Sequence, residues 1–598
     1  PAWMAHQHPE ILGRRMNSLP NTYGMRQNMD TDSPAYRFYA ERLIRRIVAH
    51  YKDSPSVIGW QIDNETSGYG ANNDDVFIGF QHYLEKKFGT PEALSKAWYL
   101  NYWGQNIHRW EDLPTRDGAQ STGYKLEWSR WQQLRVTDFL HWQSELVREC
   151  ASPRQFVTTD FAGAMHPDIN EQQISQSLDV PAVNIYRWTT QDQYNGADQT
   201  LQADFTRSLK HGNFLVTETN AQTTDWSSAF LYPPYDGQFR EDVYTHISNG
   251  ANMVEYWHWA SIHANQETYW KGVLSHDLEP NRAYAEMSRT AHELQKIGPR
   301  LVNLNIHNNV AILWSRDSLN ALNDMPFTYA KNGQWNGDGN KADYGSLVRQ
   351  IHHSLYDLNV GADFVFADTQ DFSTYKLLIV PSLYVADDAL LQRISDYIKK
   401  GGHVLMTFKS GFTNENTAVR AVMAPGPLRD TLGFHYQEFS NLAQPLALKD
   451  DPYHVGADNK VQHWAEFLQL DGAKALAWYD HPFFGQWPAI TMNQYGTGTV
   501  IYEGTYLSNA LQTQVLRSYL QDLKVLNSDQ QLPPQIHEQT GISGFRKVVH
   551  YYFNYSGAEV SFTYQRKTGT DLLHNKHIDA NDKLTLTPWD VAIIEEAQ

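Results

Sequence analysis

Apolar and polar residues alternate along the first 298 positions in two rhythms. After Ser33-Pro34, apolar residues recur at Tyr36, Tyr39, Ala40, Leu43, Ile44, Ile47 and Val48, the three-four spacing of one helix face. Ser is a favoured N-cap and Pro a favoured first helical residue, so the pattern predicts a helix starting there. Val57-Ile58-Gly59-Trp60-Gln61-Ile62-Asp63 reads instead as a buried strand. Further short runs follow at Phe156-Val157-Thr158-Thr159, Ala182-Val183-Asn184-Ile185-Tyr186, Phe214-Leu215-Val216-Thr217 and Met253-Val254-Glu255-Tyr256-Trp257. Helical stretches separate several of them. Strand-helix alternation predicts a parallel sheet with helical crossovers, either an α/β barrel or an open doubly wound sheet. The count is five strands, whereas a closed barrel of this class needs eight. The chain is therefore expected to be a fragment of a longer protein.

From about Leu301 the rhythm continues in a second, smaller α/β segment ending near Ser528. Asn309–Trp314, Lys376–Pro381 and His403–Phe408 read as strands. Between the last two, Leu390, Leu391, Ile394, Tyr397 and Ile398 mark one helix face, and Gly401-Gly402 a C-cap. Asp529-Gln530-Gln531-Leu532-Pro533-Pro534 resembles a linker. Beyond it, runs such as Val548–Phe553 and Leu584–Leu586 predict a small antiparallel β domain. The expected division is 1–298, 301–528 and 529–598.

Composition narrows the function classes. With 41% hydrophobic and 13% aromatic residues, the chain can bury a sizeable core. Its 67 acidic against 49 basic residues leave a net charge of -18, which argues against a nucleic-acid partner. One cysteine, Cys150, excludes an internal disulfide and a cysteine metal cluster. No apolar run is long enough for a membrane helix, so no membrane partner is expected. The opening Pro-Ala-Trp-Met carries no signal-peptide pattern. The expected compartment is the cytoplasm, with an upstream signal peptide left open.

Two strand ends carry candidate chemistry. The run Gly59–Ile62 stops at Asp63-Asn64-Glu65, and Phe214–Thr217 stops at Glu218-Thr219-Asn220. In a barrel the C-terminal strand ends form the catalytic face, and a carboxyl held there partly out of water gains proton affinity suited to general-acid work. Either acid could instead cap a helix or join an ion pair. Together they point to a paired-carboxylate glycosidase, in which one acid protonates the leaving oxygen and the other attacks the anomeric carbon or activates water. Aromatic residues cluster near the same points: Tyr186 and Trp188, Trp226, then Tyr256, Trp257, Trp259 and Trp270. Sugar rings pack apolar C–H faces on aromatic rings and need a few polar partners, such as Glu267 and Asn64. Any single tryptophan among them fits a core role as well. P-loop, dinucleotide and His-Glu-x-x-His patterns are absent, Cys150 reads as inert, and no cofactor is expected.

These residues resemble glycoside hydrolase family 42, the microbial β-galactosidases, across essentially the whole chain. Pro1–Leu12 resembles the family's segment after its third barrel strand, Ser33–Tyr36 its next helix start, Gly59–Glu65 its fourth-strand Asn-Glu motif, and Ala97–Gln105, with Trp103, its following aromatic loop. Glu218 falls at the family's nucleophile position, Trp226 at a family tryptophan, and Glu267 at a substrate-binding glutamate. The resemblance implies a (β/α)8 barrel whose first three strands lie outside this chain, an amidotransferase-like trimerisation domain and a small C-terminal β domain. It also implies a retaining β-galactosidase forming a homotrimer. By it, Glu65 is the acid/base, Glu218 the nucleophile and Asn64 the partner of the sugar 2-hydroxyl, while Tyr186, Trp226 and Glu267 line the galactose subsite. Trp270 stands where many members have a sugar-binding histidine. Two alternatives stay open: a related glycosidase such as an α-L-arabinopyranosidase, or a non-catalytic galactoside-binding protein.

Overall fold

The computed structural model describes residues 1–15, 19–24, 26–328 and 343–597. Its first part is a curled sheet of five parallel strands, β1 (Gly59–Asn64), β2 (Phe156–Phe161), β3 (Ala182–Asn184), β4 (Phe214–Asn220) and β5 (Ala251–Trp257), paired in chain order. Helices Pro34–Tyr51, Thr122–Cys150, Ala197–Ser208 and Gln238–Ser248 flank or connect them. Val157, Phe161, Val183, Phe214 and Val216 are buried together with Val136, Leu140 and Val147 of the long helix. That explains why the strands read as continuous apolar runs: both faces of a parallel sheet are covered. Gly59, at the start of β1, leaves room for the Phe156 ring on its neighbour, from which a Cβ would lie 2.6 Å away.

Thr122–Cys150 forms one helix of 29 residues that ends at Cys150. One local expectation changes. In the helix Pro34–Tyr51 only Val48 is buried, and Leu43 and Ile47 face solvent; the apolar arc is wider than the side that meets the long helix.

The middle segment continues the parallel pattern with β6 (Val310–Trp314), β7 (Ala362–Phe366), β8 (Leu377–Val380) and β9 (His403–Thr407), ordered β9-β8-β6-β7. The sheet then extends beyond β9 through Gly498–Glu503, which pairs with β9 in parallel, and from there by antiparallel pairings among strands between Phe439 and Leu507, reaching ten strands. These extra strands escaped the sequence pattern. Phe439–Leu448, for example, is mostly half-exposed and contains Pro445, so neither a buried run nor clean alternation marks it.

The last segment pairs Ile536–Ile542, Val548–Asn554, Val591–Glu596, Gly569–Asp571 and Lys576–Ile578 in one antiparallel sheet. A second ladder joins Val560–Thr563 to Lys583–Leu586. The stretch expected as a linker is tied down: Ser528–Gln531 is a 3-10 turn, and buried Asp529 is ion-paired with Arg566.

The three segments share cores. Phe205 of the first packs edge-on against Trp314, Phe364 and Phe366 of the second, with centroids 5.3–5.8 Å apart. Buried Arg207 spans the same seam, 2.7 Å from Asp204 and 3.0 Å from Asp363. Arg240 reaches Asp590 of the third segment at 2.8 Å. At Gly196 (φ 75°) a Cβ would lie 2.4 Å from the Tyr555 hydroxyl. Gly196→Ala is therefore predicted to lower stability by more than about 1 kcal/mol, from left-handed backbone and steric conflict together. Thermal melting against the unaltered chain checks it; an unchanged melt contradicts this packing.

Candidate active site

The site is built where the regular ladder breaks. Pairing between β1 and β2 slips between Gln61 and Asn64, and that between β4 and β5 slips between Val216 and Thr219. Asp63 (φ 56°) and Glu65 (φ 48°) take left-handed backbone. Such irregularities re-aim side chains that a plain pleat would send to alternate faces. Here they deliver Glu65, Asp160 and Glu218 to one end of neighbouring parallel strands.

Asn184, at the end of β3 and 3% exposed, joins these carboxyl groups. Its amide nitrogen donates to Glu65 Oε1 and to Asp160 Oδ2, both at 2.9 Å. Its amide oxygen accepts from the Thr217 hydroxyl at 3.0 Å. Asp160 Oδ1 accepts the Glu65 backbone N–H at 3.1 Å. The Tyr186 hydroxyl donates to Glu218 Oε2 at 2.5 Å. Arg26 stands 3.9 Å from Glu65 and 3.8 Å from Glu267, and the Trp257 indole N–H donates to Glu267 Oε2 at 3.3 Å.

Electrostatics follow from burial and crowding. Burial pushes the Glu218 carboxyl up to about 7; the Tyr186 hydroxyl opposes this, while the charge of Glu65 adds to it. Burial likewise raises Asp160 to about 7, against the stabilising bonds from Glu65 N–H and Asn184. The Tyr186 hydroxyl is driven far up, by burial first and then by the neighbouring carboxylates, and stays a donor. The arrangement can therefore hold a proton on one carboxyl beside a second that is ionised, as acid-base cleavage of an acetal requires. Among the described residues, no group of three His, Cys, Asp or Glu side chains is arranged to hold a metal ion. Among the described residues, no helix is long and apolar enough to cross a membrane. A cavity of about 680 Å³ beside Lys376, Arg393 and His403 lies in the middle segment and contains none of these residues.

Three family profiles cover the chain in order: β-galactosidase over residues 1–297, β-galactosidase trimerisation domain over 308–526, and β-galactosidase C-terminal domain over 551–596. The chain belongs to glycoside hydrolase family 42, and it is a glycoside hydrolase of the β-galactosidase group. Among its relatives is β-galactosidase bgaB of Geobacillus kaustophilus, 28% identical over 517 residues, or 85% of this chain and 74% of that one. β-Galactosidase LacZ of Lactobacillus acidophilus is 26% identical over 533 residues, 86% of this chain and 76% of that one. The fold matches the β-galactosidase of Bacillus circulans sp. alkalophilus with a TM-score of 0.90 at 22% identity, covering 100% of this chain and 87% of the other. For the β-galactosidase of Halorubrum lacusprofundi the TM-score is 0.86 at 26% identity, covering 100% and 87%. These folds are TIM-barrel β-galactosidases, and the five-stranded curled sheet corresponds to part of that barrel.

At this candidate site, the residues expected from sequence separate into two groups. Glu65, Glu218, Tyr186 and Glu267 lie in the network described above. Asn64 joins it once its amide is turned so that nitrogen faces Asp160 Oδ2 at 3.3 Å and oxygen faces Arg26 Nη2 at 3.0 Å, the orientation that satisfies both neighbours. Trp270 sets its ring edge-on to Tyr186 at 4.9 Å and to Trp188 at 5.9 Å, so it braces the tyrosine that holds Glu218. Trp226 and Trp103 stand apart from this network in exposed loops, at 56% and 73% exposure, and Trp103 stacks on Tyr102.

Sequence reasoning missed Asp160, Asn184 and Arg26. Asp160 follows directly on Phe156–Thr159, so the signal that marked Glu65 and Glu218, an apolar run ending in an acid, was present. Asn184 is a lone amide inside an otherwise apolar run. Arg26 lies in a loop with no pattern to select it.

The raised proton affinity of Glu218 has a consequence for stability. The folded state holds this proton up to about pH 7, against an ordinary carboxyl value of 4.5. The ionisation penalty is thus absent below the ordinary value and fully present above 7. Glu218→Gln is predicted to raise the melting temperature more at pH 8 than at pH 5. Equal shifts at both pH values contradict the burial argument.

Proposed function

We propose that the chain is a retaining β-galactosidase that cleaves terminal β-D-galactosides by double displacement. One observation carries this reading: Glu65 and Glu218 lie at the same end of the parallel sheet, Glu65 held by the Asn184 amide that itself accepts from Thr217, and Glu218 held by the Tyr186 hydroxyl. In the first step a Glu218 oxygen forms a bond to the anomeric carbon. The bond to the leaving oxygen breaks, and that oxygen takes the proton of Glu65. In the second step water gives a proton to Glu65 and attacks the same carbon, releasing galactose and the Glu218 carboxylate. The Tyr186 hydroxyl favours the ionised Glu218 that attack requires, against the burial that opposes it. Arg26 provides positive charge between Glu65 and Glu267.

Galactose is the sugar because the relatives that match over most of the chain are named β-galactosidases. Glu267 and Asn64 supply polar partners for its hydroxyls, and Trp270 with Tyr186 an aromatic wall. Segment 308–526, matched by a trimerisation profile, is read as the assembly surface of a homotrimer, which sedimentation checks directly.

The roles make a differential prediction. Glu218→Gln is expected to abolish hydrolysis of every galactoside while the chain stays folded, with a melting temperature no lower than that of the unaltered chain. Glu65→Ala should lower kcat/KM for alkyl and lactose-type galactosides by roughly 10²–10⁴-fold, the usual worth of general-acid help, and far less for 2,4-dinitrophenyl galactoside, whose leaving group needs no proton. Full activity in Glu218→Gln contradicts the assignment. Proton NMR of the first product separates retention from inversion: β-galactose should appear before α-galactose.

A further inference from the structure

Asp160 is the one buried carboxyl of the site to which the cleavage scheme gives no task. It is 1% exposed, and every group that bonds to it is a donor. Glu65 N–H reaches Oδ1 at 3.1 Å, and the amide nitrogen of Asn184 reaches Oδ2 at 2.9 Å; the Asn64 amide, turned so that it satisfies its neighbours, adds a nitrogen 3.3 Å from Oδ2. The first of these fixes the backbone of Glu65 in its left-handed turn. The second fixes the Asn184 amide, because a nitrogen held by Asp160 cannot exchange places with its oxygen. The other hydrogen of that nitrogen then points at Glu65 Oε1, and the Asn184 oxygen is left to the Thr217 hydroxyl. Asp160 therefore controls Glu65 twice, through the main chain and through the side chain.

We propose that Asp160, acting through Asn184, is the positioning residue for the Glu65 acid/base. It orders the Glu65 carboxyl so that the second oxygen, the one not bonded by Asn184, carries the proton toward the leaving group. Asn184 occupies Oε1 with a donor, which leaves the proton to Oε2, the oxygen that faces Arg26 Nη2 at 3.9 Å, beyond hydrogen-bond reach. The charged groups facing this arrangement are Glu65 on β1, Glu218 on β4 and Arg26 from the N-terminal loop; β3 contributes only the neutral Asn184. This proposal rests on the reading of Glu65 as the acid/base. A misplaced acid costs most where the leaving oxygen most needs its proton.

The test is a leaving-group series on the full chain. Asp160→Asn puts an amide nitrogen or oxygen where three donors converge, so it cannot satisfy all of them. Asn184→Ala removes the bridge while keeping the Asp160 carboxyl. For both, kcat/KM for methyl β-galactoside is expected to fall at least about tenfold further than kcat/KM for 2,4-dinitrophenyl β-galactoside, the size of effect a displaced catalytic group gives. A merely structural role lowers both substrates in parallel, and that result overturns the proposal. So does an unchanged ratio in Asn184→Ala where Asp160→Asn fails to fold. Glu65→Ala in the same series separates the two levels. If it shows the leaving-group split and neither Asp160→Asn nor Asn184→Ala does, only the Asp160 role falls. If Glu65→Ala shows no split, the acid/base assignment falls and takes the Asp160 role with it.

Discussion

Four carboxyl groups, Glu65, Asp160, Glu218 and Glu267, crowd one end of a parallel sheet, and the rest of the site is arranged around keeping them there. Burial and mutual repulsion disfavour ionising all of them together. The structure meets this with donors: Asn184 and Asn64 amides, the Tyr186 hydroxyl, the Trp257 indole and the Arg26 guanidinium. What remains uncompensated appears as the raised proton affinity of Glu218 and Asp160. A cluster that retains a proton near neutral pH is suited to moving one, which links the cost of the cluster to its chemistry.

Such a cluster needs a stiff frame, because separations between like charges must not relax. Slips in strand pairing aim the acids, and these are tolerated because β2, β3 and β4 are buried on both faces. The second and third segments add to this by sharing cores with the first. Phe205 packs into the β6–β7 region, and Arg240 ties the helix after β4 to Asp590. The chain of contacts from Tyr194 to Asp242, and from Asp242 to Thr219 beside Glu218, lies on the same side. The distant domains thus act on the site through packing, without contributing a reacting group to the network.

Much of this was legible in the sequence, and the limits have physical reasons. Apolar runs ending in acids located Glu65 and Glu218, since a buried parallel strand must be apolar until it emerges. The same rule applied one residue further along would have found Asp160. Asn184 was hidden because hydrophobic periodicity treats a polar residue inside a run as noise, whereas here it bridges two carboxyl groups. The antiparallel half of the middle sheet was invisible for a related reason: half-exposed strands such as Phe439–Leu448 lack a clean period. Trp103 and Trp226, selected by aromatic density and family spacing, are exposed and make no part of the hydrogen-bonded centre, as a side chain that meets a sugar through its ring face need not.

The central claim is that Glu218 attacks an anomeric carbon within a galactose-shaped site. Incubation of the chain with 2-deoxy-2-fluoro-β-D-galactosyl fluoride tests it most directly, because the fluorine at C2 slows both steps and the reactive leaving group lets the first proceed. Intact mass followed by peptide mapping should reveal one fluorogalactosyl unit esterified to Glu218. An adduct on another residue, or hydrolysis of ordinary aryl galactosides with inversion and no adduct, would contradict the account.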